Sequence, residues 1–196
     1  MKLKNYEFKS NPYQHQLDTL KSSAHRNLFA LFLEMGLGKS KILLDNAGML
    51  FEEGKISGLL IVSPKGNLNN WDSNEINKHL PERIKRNVLV WQPNHTQRWT
   101  KAFKDMVQDD STGVLNIFLV NVEAFATVKA CTHVEEFLVT HDAMMAIDES
   151  TTIKNPKAKR TKHLIKLGPL ADYRRILTGF PITKAPLDLY SQCYFL

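Results

Sequence analysis

Residues 29–33, 58–62, 88–91, 117–120, 143–147 and 175–178 form six short runs that are apolar almost throughout, each flanked by polar or turn-forming residues. Runs of that length and composition read as buried strands. Between them the apolar positions recur at helical spacing. One helix opens near Asn11-Pro12, with Tyr13, Leu17 and Leu20 on its apolar face. Others cover 40–53, stopped by Gly54, then 67–80, 96–108, 134–140, a basic stretch after Ile153, and 185–196. Turn residues at 109–113 close the helix over 96–108. Uniformly apolar strands alternating with helices predict an α/β domain, a mostly parallel sheet covered on both faces.

In such a sheet ligands sit at the carboxyl ends of the strands. The polar motifs of this chain fall there. LFLEMGLGKS ends the first strand, Ser63-Pro64-Lys65 the second, Asn121 the fourth, Asp148-Glu149 the fifth and Thr178-Gly179 the sixth.

The glycine turn has the chemistry of a phosphate site. At a strand-to-helix turn the first backbone N–H groups of the helix are unpaired and the peptide dipoles favour an anion. Gly36 and Gly38 let the backbone approach that anion, and Lys39 supplies a compact positive charge to the β- and γ-phosphates. Ser40 gives a hydroxyl to Mg²⁺, and the neighbours Met35, Leu37 and Lys41 complete the binding segment. The pattern GxxxxGK[ST] asks for glycine where this chain has Leu33. Asp148 and Glu149 supply the other half: one carboxylate to hold Mg²⁺, one base to orient an attacking water. Two adjacent acids at the end of an apolar strand are costly unless a metal or donor meets them.

Composition narrows the class without choosing the activity. With 196 residues, 43% of them apolar and 23% charged, the chain suits one soluble domain with a sizeable core. No apolar run approaches the roughly 20 residues that span a bilayer, and MKLKNYEFKS has no signal-like apolar segment. Cys131 and Cys193 make neither a disulfide framework nor a zinc pattern, and the seven histidines lack ligand spacing. A reducing, cytoplasmic setting without membrane partners is the expectation. The net charge of +6 biases the chain toward polyanions. Lys154, Lys157, Lys159, Arg160, Lys162 and Lys166 fall in one run without an acid, either a solvated face or a nucleic-acid surface. Trp71, Trp91 and Trp99 either stack on bases or pack in the core.

The order PYQ, LEMGLGKS, LIVSPKGNLNNW, DES followed by IKNPKAKR, then ILTGFPI resembles the first motor lobe of superfamily-two helicases, most of all the Swi/Snf-type ATPases. The resemblance covers nearly the whole chain. It implies a RecA-like P-loop NTPase lobe that uses ATP with Mg²⁺ and works on double-stranded or branched DNA. In that likeness Gln14 matches the glutamine that reads adenine, with Gln16 close by. Ser63, Pro64, Lys65 and Asn121 match contacts to a nucleic-acid backbone, and Thr178-Gly179 the element that links nucleotide state to DNA. Departures fall at Leu33, commonly acidic in the family, at Ser150 and Thr151, commonly alanine and histidine, and at Phe180, commonly threonine. The family's second lobe supplies a phosphate-stabilising arginine. Residues 1–196 therefore read as an N-terminal ATP-binding lobe whose partner lobe lies outside this sequence. Compact motif spacing suggests a minimal motor of phage or bacterial type. A non-catalytic nucleotide- or DNA-binding module is the alternative, and a P-loop kinase a third reading with no evident acceptor site.

Overall fold

A computed structural model describes residues 6–108 and 113–196. The turn expected at 109–113 thus lies, apart from Gly113, outside the described residues. All six expected strands form: β1 (Leu28–Phe32), β2 (Gly58–Ser63), β3 (Arg86–Val90), β4 (Leu115–Asn121), β5 (Ala143–Asp148) and β6 (Tyr173–Thr178). They pair in parallel in the order β1-β6-β5-β2-β4-β3. Every residue of β2 and β5 is buried, as strands with helices on both sides must be.

The helices are α1 (Gln14–Ser23), α2 (Lys39–Glu52), α3 (Lys65–Asn70), α4 (Ile76–His79), α5 (Gln97–Gln108), α6 (Val128–Thr140), α7 (Lys159–Leu167) and α8 (Asp188–Phe195). The pleat of β2 divides the core. Leu59 and Ile61 pack with Leu20, Leu43, Leu50 and Trp71 on one face. Leu60 and Val62 pack with Phe103, Phe137, Leu164 and Phe195 on the other. No helix of the described residues is long and apolar enough to cross a membrane.

Several helix bounds differ from the periodic pattern, for local reasons. Helix α2 ends as expected at Gly54, whose φ of 66° is left-handed. The N–H of Gly54 donates to Phe51 O at 2.9 Å and that of Lys55 to Leu50 O at 2.8 Å, the paired bonds of a Schellman cap. The single helix expected over 67–80 is instead α3, a π turn (Trp71–Glu75) and α4. The basic run does not form one helix, because Pro156 disfavours helical backbone at Asn155. A 3-10 turn (Ser150–Ile153) precedes it and α7 begins only at Lys159.

Arg175 anchors the far end of the sheet. Its side chain is fully buried, with 0% exposure, on β6. The guanidinium donates to Asn46 Oδ1 at 3.0 and 3.1 Å, Asn27 O at 3.0 Å, Arg174 O at 2.9 Å and Ser23 O at 3.1 Å. Ser23 is the last residue of α1, where the helix dipole favours a cation. Burial lowers the guanidinium to about 10, yet it stays charged at neutral pH. Arg175→Met is expected to cost roughly 3 kcal/mol of folding stability, because the buried Asn46 Oδ1 loses both its bonds and the carbonyls of Ser23, Asn27 and Arg174 lose one each. A lower urea midpoint with an unchanged denaturant slope would show it.

Candidate nucleotide site

A cavity of about 690 Å³ opens at the carboxyl ends of β1 and β5, lined by the glycine turn, the start of α2, the π turn and the Asp148-Glu149 pair. Gly36 and Gly38 have φ of 81° and 82°, which only glycine adopts without strain. A Cβ on Gly38 would also collide with Gln16 Nε2. Lys39 Nζ donates to Leu33 O at 2.9 Å and Glu34 O at 3.2 Å, so the ammonium lies across the turn. Only the backbone oxygen of Leu33 is used, and Leu33 is not among the positive-φ residues. A leucine can therefore stand where the phosphate-loop pattern asks for glycine.

Asp148 is the last residue of β5 and Glu149 begins the turn after it. Asp148 Oδ2 accepts from Ser63 Oγ at 2.9 Å and Trp71 Nε1 at 3.0 Å, and Oδ1 accepts from Glu149 N at 3.0 Å. Glu149, at φ 49° and ψ 59°, is the one non-glycine residue with positive φ among those described. Such backbone costs of order 1–3 kcal/mol and persists where the surroundings enforce it. Thr178 Oγ1 donates to Glu149 Oε2 at 3.4 Å, and Phe180 N to Thr178 Oγ1 at 3.3 Å. A Cβ on Gly179 would lie 3.5 Å from both Leu33 O and Met35 N. Thr178-Gly179 thus spans from Glu149 to the glycine turn.

The structure brings Met35, Gly36, Gly38, Lys39, Ser40, Lys41, Asp148 and Glu149 together around the cavity. Four readings of the sequence need correction. Gln14 is exposed and donates to Asp18 Oδ1 at 2.9 Å, whereas Gln16 is 6% exposed and lines the cavity. Two helical positions apart means a rotation of about 200°, so only one of the pair can face the turn. Gln16 Oε1 accepts from Tyr13 N at 3.0 Å and its Nε2 donates to Leu37 O at 3.2 Å. Leu37 contributes that carbonyl, while its side chain is exposed outside the cavity lining. Lys41 turns inward: Nζ donates to Asp45 Oδ2 and Ser10 O, both at 2.9 Å. These two bonds engage the lysine's charge in the cavity wall, and burial pushes the Asp45 carboxyl up to about 6 against the pull of Lys41.

Ser63 is the fourth. It is fully buried and its hydroxyl is spent on Asp148, so it lies beneath the surface rather than on it. Pro64 caps α3, Lys65 is exposed, and Asn121 Nδ2 donates to Glu123 Oε2 at 3.2 Å. Ser63 and Asn121 are register partners on β2 and β4, so Pro64, Lys65 and Asn121 share one rim of the sheet. Lys154 of the basic run is paired, 3.8 Å from Asp188. Trp91 and Trp99 pack in the core, the latter stacked at 3.8 Å between ring centroids on His95. Trp71 packs too, and its bond to Asp148 carries no signal in the sequence beyond its place in LIVSPKGNLNNW. No cluster of three or more His, Cys, Asp or Glu able to hold a metal occurs among the described residues.

A left-handed glycine turn after β1, a lysine and serine opening a helix, and an acid pair at the end of β5, two strands away in the same sheet, define a P-loop NTPase lobe of parallel α/β type. Residues 15–196 match the SNF2-related domain, and the chain belongs to that family, as the first lobe of a Swi/Snf-type superfamily-two helicase. Helicase SWR1 of Cryptococcus neoformans is 30% identical over 188 residues, which are 94% of this chain and 14% of that protein. The ISWI chromatin-remodeling complex ATPase ISW1 of Saccharomyces cerevisiae is 28% identical over 94% of this chain and 15% of its own length. Among solved structures, the Sulfolobus solfataricus SWI2/SNF2 ATPase core in complex with dsDNA superposes with a TM-score of 0.76 at 24% identity. It covers 100% of this chain, which spans 38% of that one. The UvsW helicase of bacteriophage T4 gives a TM-score of 0.64 at 16% identity, over 96% of this chain and 62% of its own. These two likenesses confirm the RecA-like fold.

Proposed function

We propose that this chain is the ATP-binding lobe of a DNA-dependent ATPase that moves along or remodels double-stranded or branched DNA together with a second RecA-like lobe. The observation that carries this reading is the convergence of Lys39, Ser40, Asp148 and Glu149 on one cavity. Lys39 and the open N-terminus of α2 bind the phosphates. Ser40 and Asp148 would hold Mg²⁺, which neutralises charge on the phosphates when bound. Glu149 orients the attacking water and accepts its proton, in a backbone conformation that aims the carboxylate from the turn after β5. Thr178, bonded to Glu149, is placed to pass the state of that carboxylate to the loop from Gly179 onward.

The chain spans 14% and 15% of the two curated relatives named above, so turnover is assigned to the assembly with a second lobe and its arginine. The names of those relatives, a helicase and a chromatin-remodeling ATPase, support the DNA-dependent reading, as does the dsDNA held by the Sulfolobus core. Pro64, Lys65 and Asn121 are proposed to meet the DNA backbone. Intracellular location and a phage or bacterial source belong to the same proposal. The location rests on the cysteine usage and the source on compact motif spacing alone, while the curated relatives named are fungal. The alternative, a non-catalytic nucleotide- or DNA-binding module, is separated by phosphate release measured with and without duplex DNA, for the chain alone and joined to a second lobe. DNA-stimulated release from the joined form supports the ATPase; nucleotide binding without release in either form supports the module.

Base recognition is assigned to Gln16 rather than Gln14. Gln16→Ala is expected to weaken ATP binding about 10-fold, the loss of roughly one good hydrogen bond, and Gln14→Ala to leave it within twofold. Competition titrations of ATP against GTP on both variants check this.

A further inference from the structure

Trp71 and Ser63 are buried against Asp148, and neither has a part in the chemistry assigned above. An ionised carboxylate offers about four acceptor positions. Three are occupied here, two on Oδ2 by Trp71 Nε1 and Ser63 Oγ and one on Oδ1 by Glu149 N. The two side-chain donors come from outside β5, 77 and 85 residues away in sequence, and each is at most 2% exposed. A carboxylate bonded only within its own strand end would be free to turn about its last torsion. This one is pinned from a neighbouring strand and from a helix.

The helix is built for the purpose. Between α3 and α4 the chain widens into a π turn in which Ile76 N donates to Trp71 O, five residues back. A π turn forgoes regular helix geometry and is frequent at functional sites. The indole at the first residue of this turn reaches Asp148 at the end of β5. Trp71, Ile76 and Leu80 pack on the same core, so the segment is fixed on both sides of the π turn.

We infer that Trp71 and Ser63 are positioning residues for Asp148, leaving the carboxylate one directed acceptor toward the cavity for a divalent cation or its waters. The inference rests on the nucleotide-site reading and extends it to the outer partners that set metal affinity. Partners of that kind typically account for 10- to 100-fold in metal affinity. Trp71→Phe keeps the ring and removes the donor; Ser63→Ala removes the other with little change in volume. Each is expected to weaken the Mg²⁺-dependent part of ADP binding at least 10-fold while ADP binding in EDTA stays within twofold of the parent. The measurement is calorimetric titration of ADP with saturating Mg²⁺ and with EDTA, with thermal unfolding of each variant as the control on folding. A merely structural role for the indole would lower unfolding temperature and both affinities together. Mg²⁺ enhancement retained within twofold in the folded Ser63→Ala variant, or in Trp71→Phe, would overturn the positioning role alone. A parent chain that binds ADP equally with Mg²⁺ and EDTA would overturn the role of Asp148 and this inference with it.

Discussion

Lys39→Ala is expected to weaken Mg·ATP binding by about 100-fold or more. Removing one partner of a buried, hydrogen-bonded charge pair costs on the order of 2–5 kcal/mol, and about 3 kcal/mol is already two decades in affinity. No neighbour stands ready to replace it. Lys41, two residues on, spends its ammonium on Asp45 and Ser10 O. The two carbonyls that accept from Lys39, those of Leu33 and Glu34, belong to the exposed turn and can take water instead, so the fold itself is expected to lose little. Equilibrium titration of a fluorescent ATP analogue checks the affinity, and coincident thermal unfolding of variant and parent checks the fold.

Glu149→Gln is expected to lower kcat by about 10²- to 10⁴-fold, the usual worth of a general base, with nucleotide affinity within about threefold. The amide preserves the size of the side chain and can still accept from Thr178 Oγ1, 3.4 Å from the carboxylate in the parent. What it cannot do is take a proton from water. The left-handed backbone of Glu149 marks the residue as placed for work rather than for stability, since a glycine would sit there without strain. Steady-state phosphate release by the chain joined to a second lobe, in the presence of duplex DNA, measures the effect. An equal fall in affinity and turnover would assign Glu149 to binding instead.

Much of the fold was legible because the central strands β2 and β5 are buried along their whole length and β4 nearly so, and the edge strands β1 and β3, though partly exposed, keep the same apolar run. All six strands were expected within a few residues of where they lie, β3 beginning at Arg86 rather than Val88. The order of the sheet was not legible. It follows from which helices cross which face, and adjacent sequence carries no mark of β2 lying between β4 and β5. Phosphate-site residues could be read because their chemistry is local: two glycines, a lysine and a serine within five positions.

What was missed depends on rotation and on distant partners. Gln14 and Gln16 differ only in which side of α1 they occupy, and that is set by the helix starting at Gln14 behind an extended Tyr13. Ser63 reads as a surface residue of a strand-end loop until Asp148, 85 residues on, is found to hold its hydroxyl. Lys41 did leave a signal, an aspartate four positions later at Asp45, the spacing of an intrahelical ion pair. The π turn at Trp71 left none, because its residues have ordinary helical character.

The most direct measurement is isothermal titration of Mg·ATP into the chain, repeated with EDTA. One saturable site is expected, weakened at least 10-fold when the metal is removed. Absence of saturable binding up to millimolar nucleotide, or affinity indifferent to Mg²⁺, would contradict the assignment of Lys39, Ser40 and Asp148 to a metal–nucleotide site.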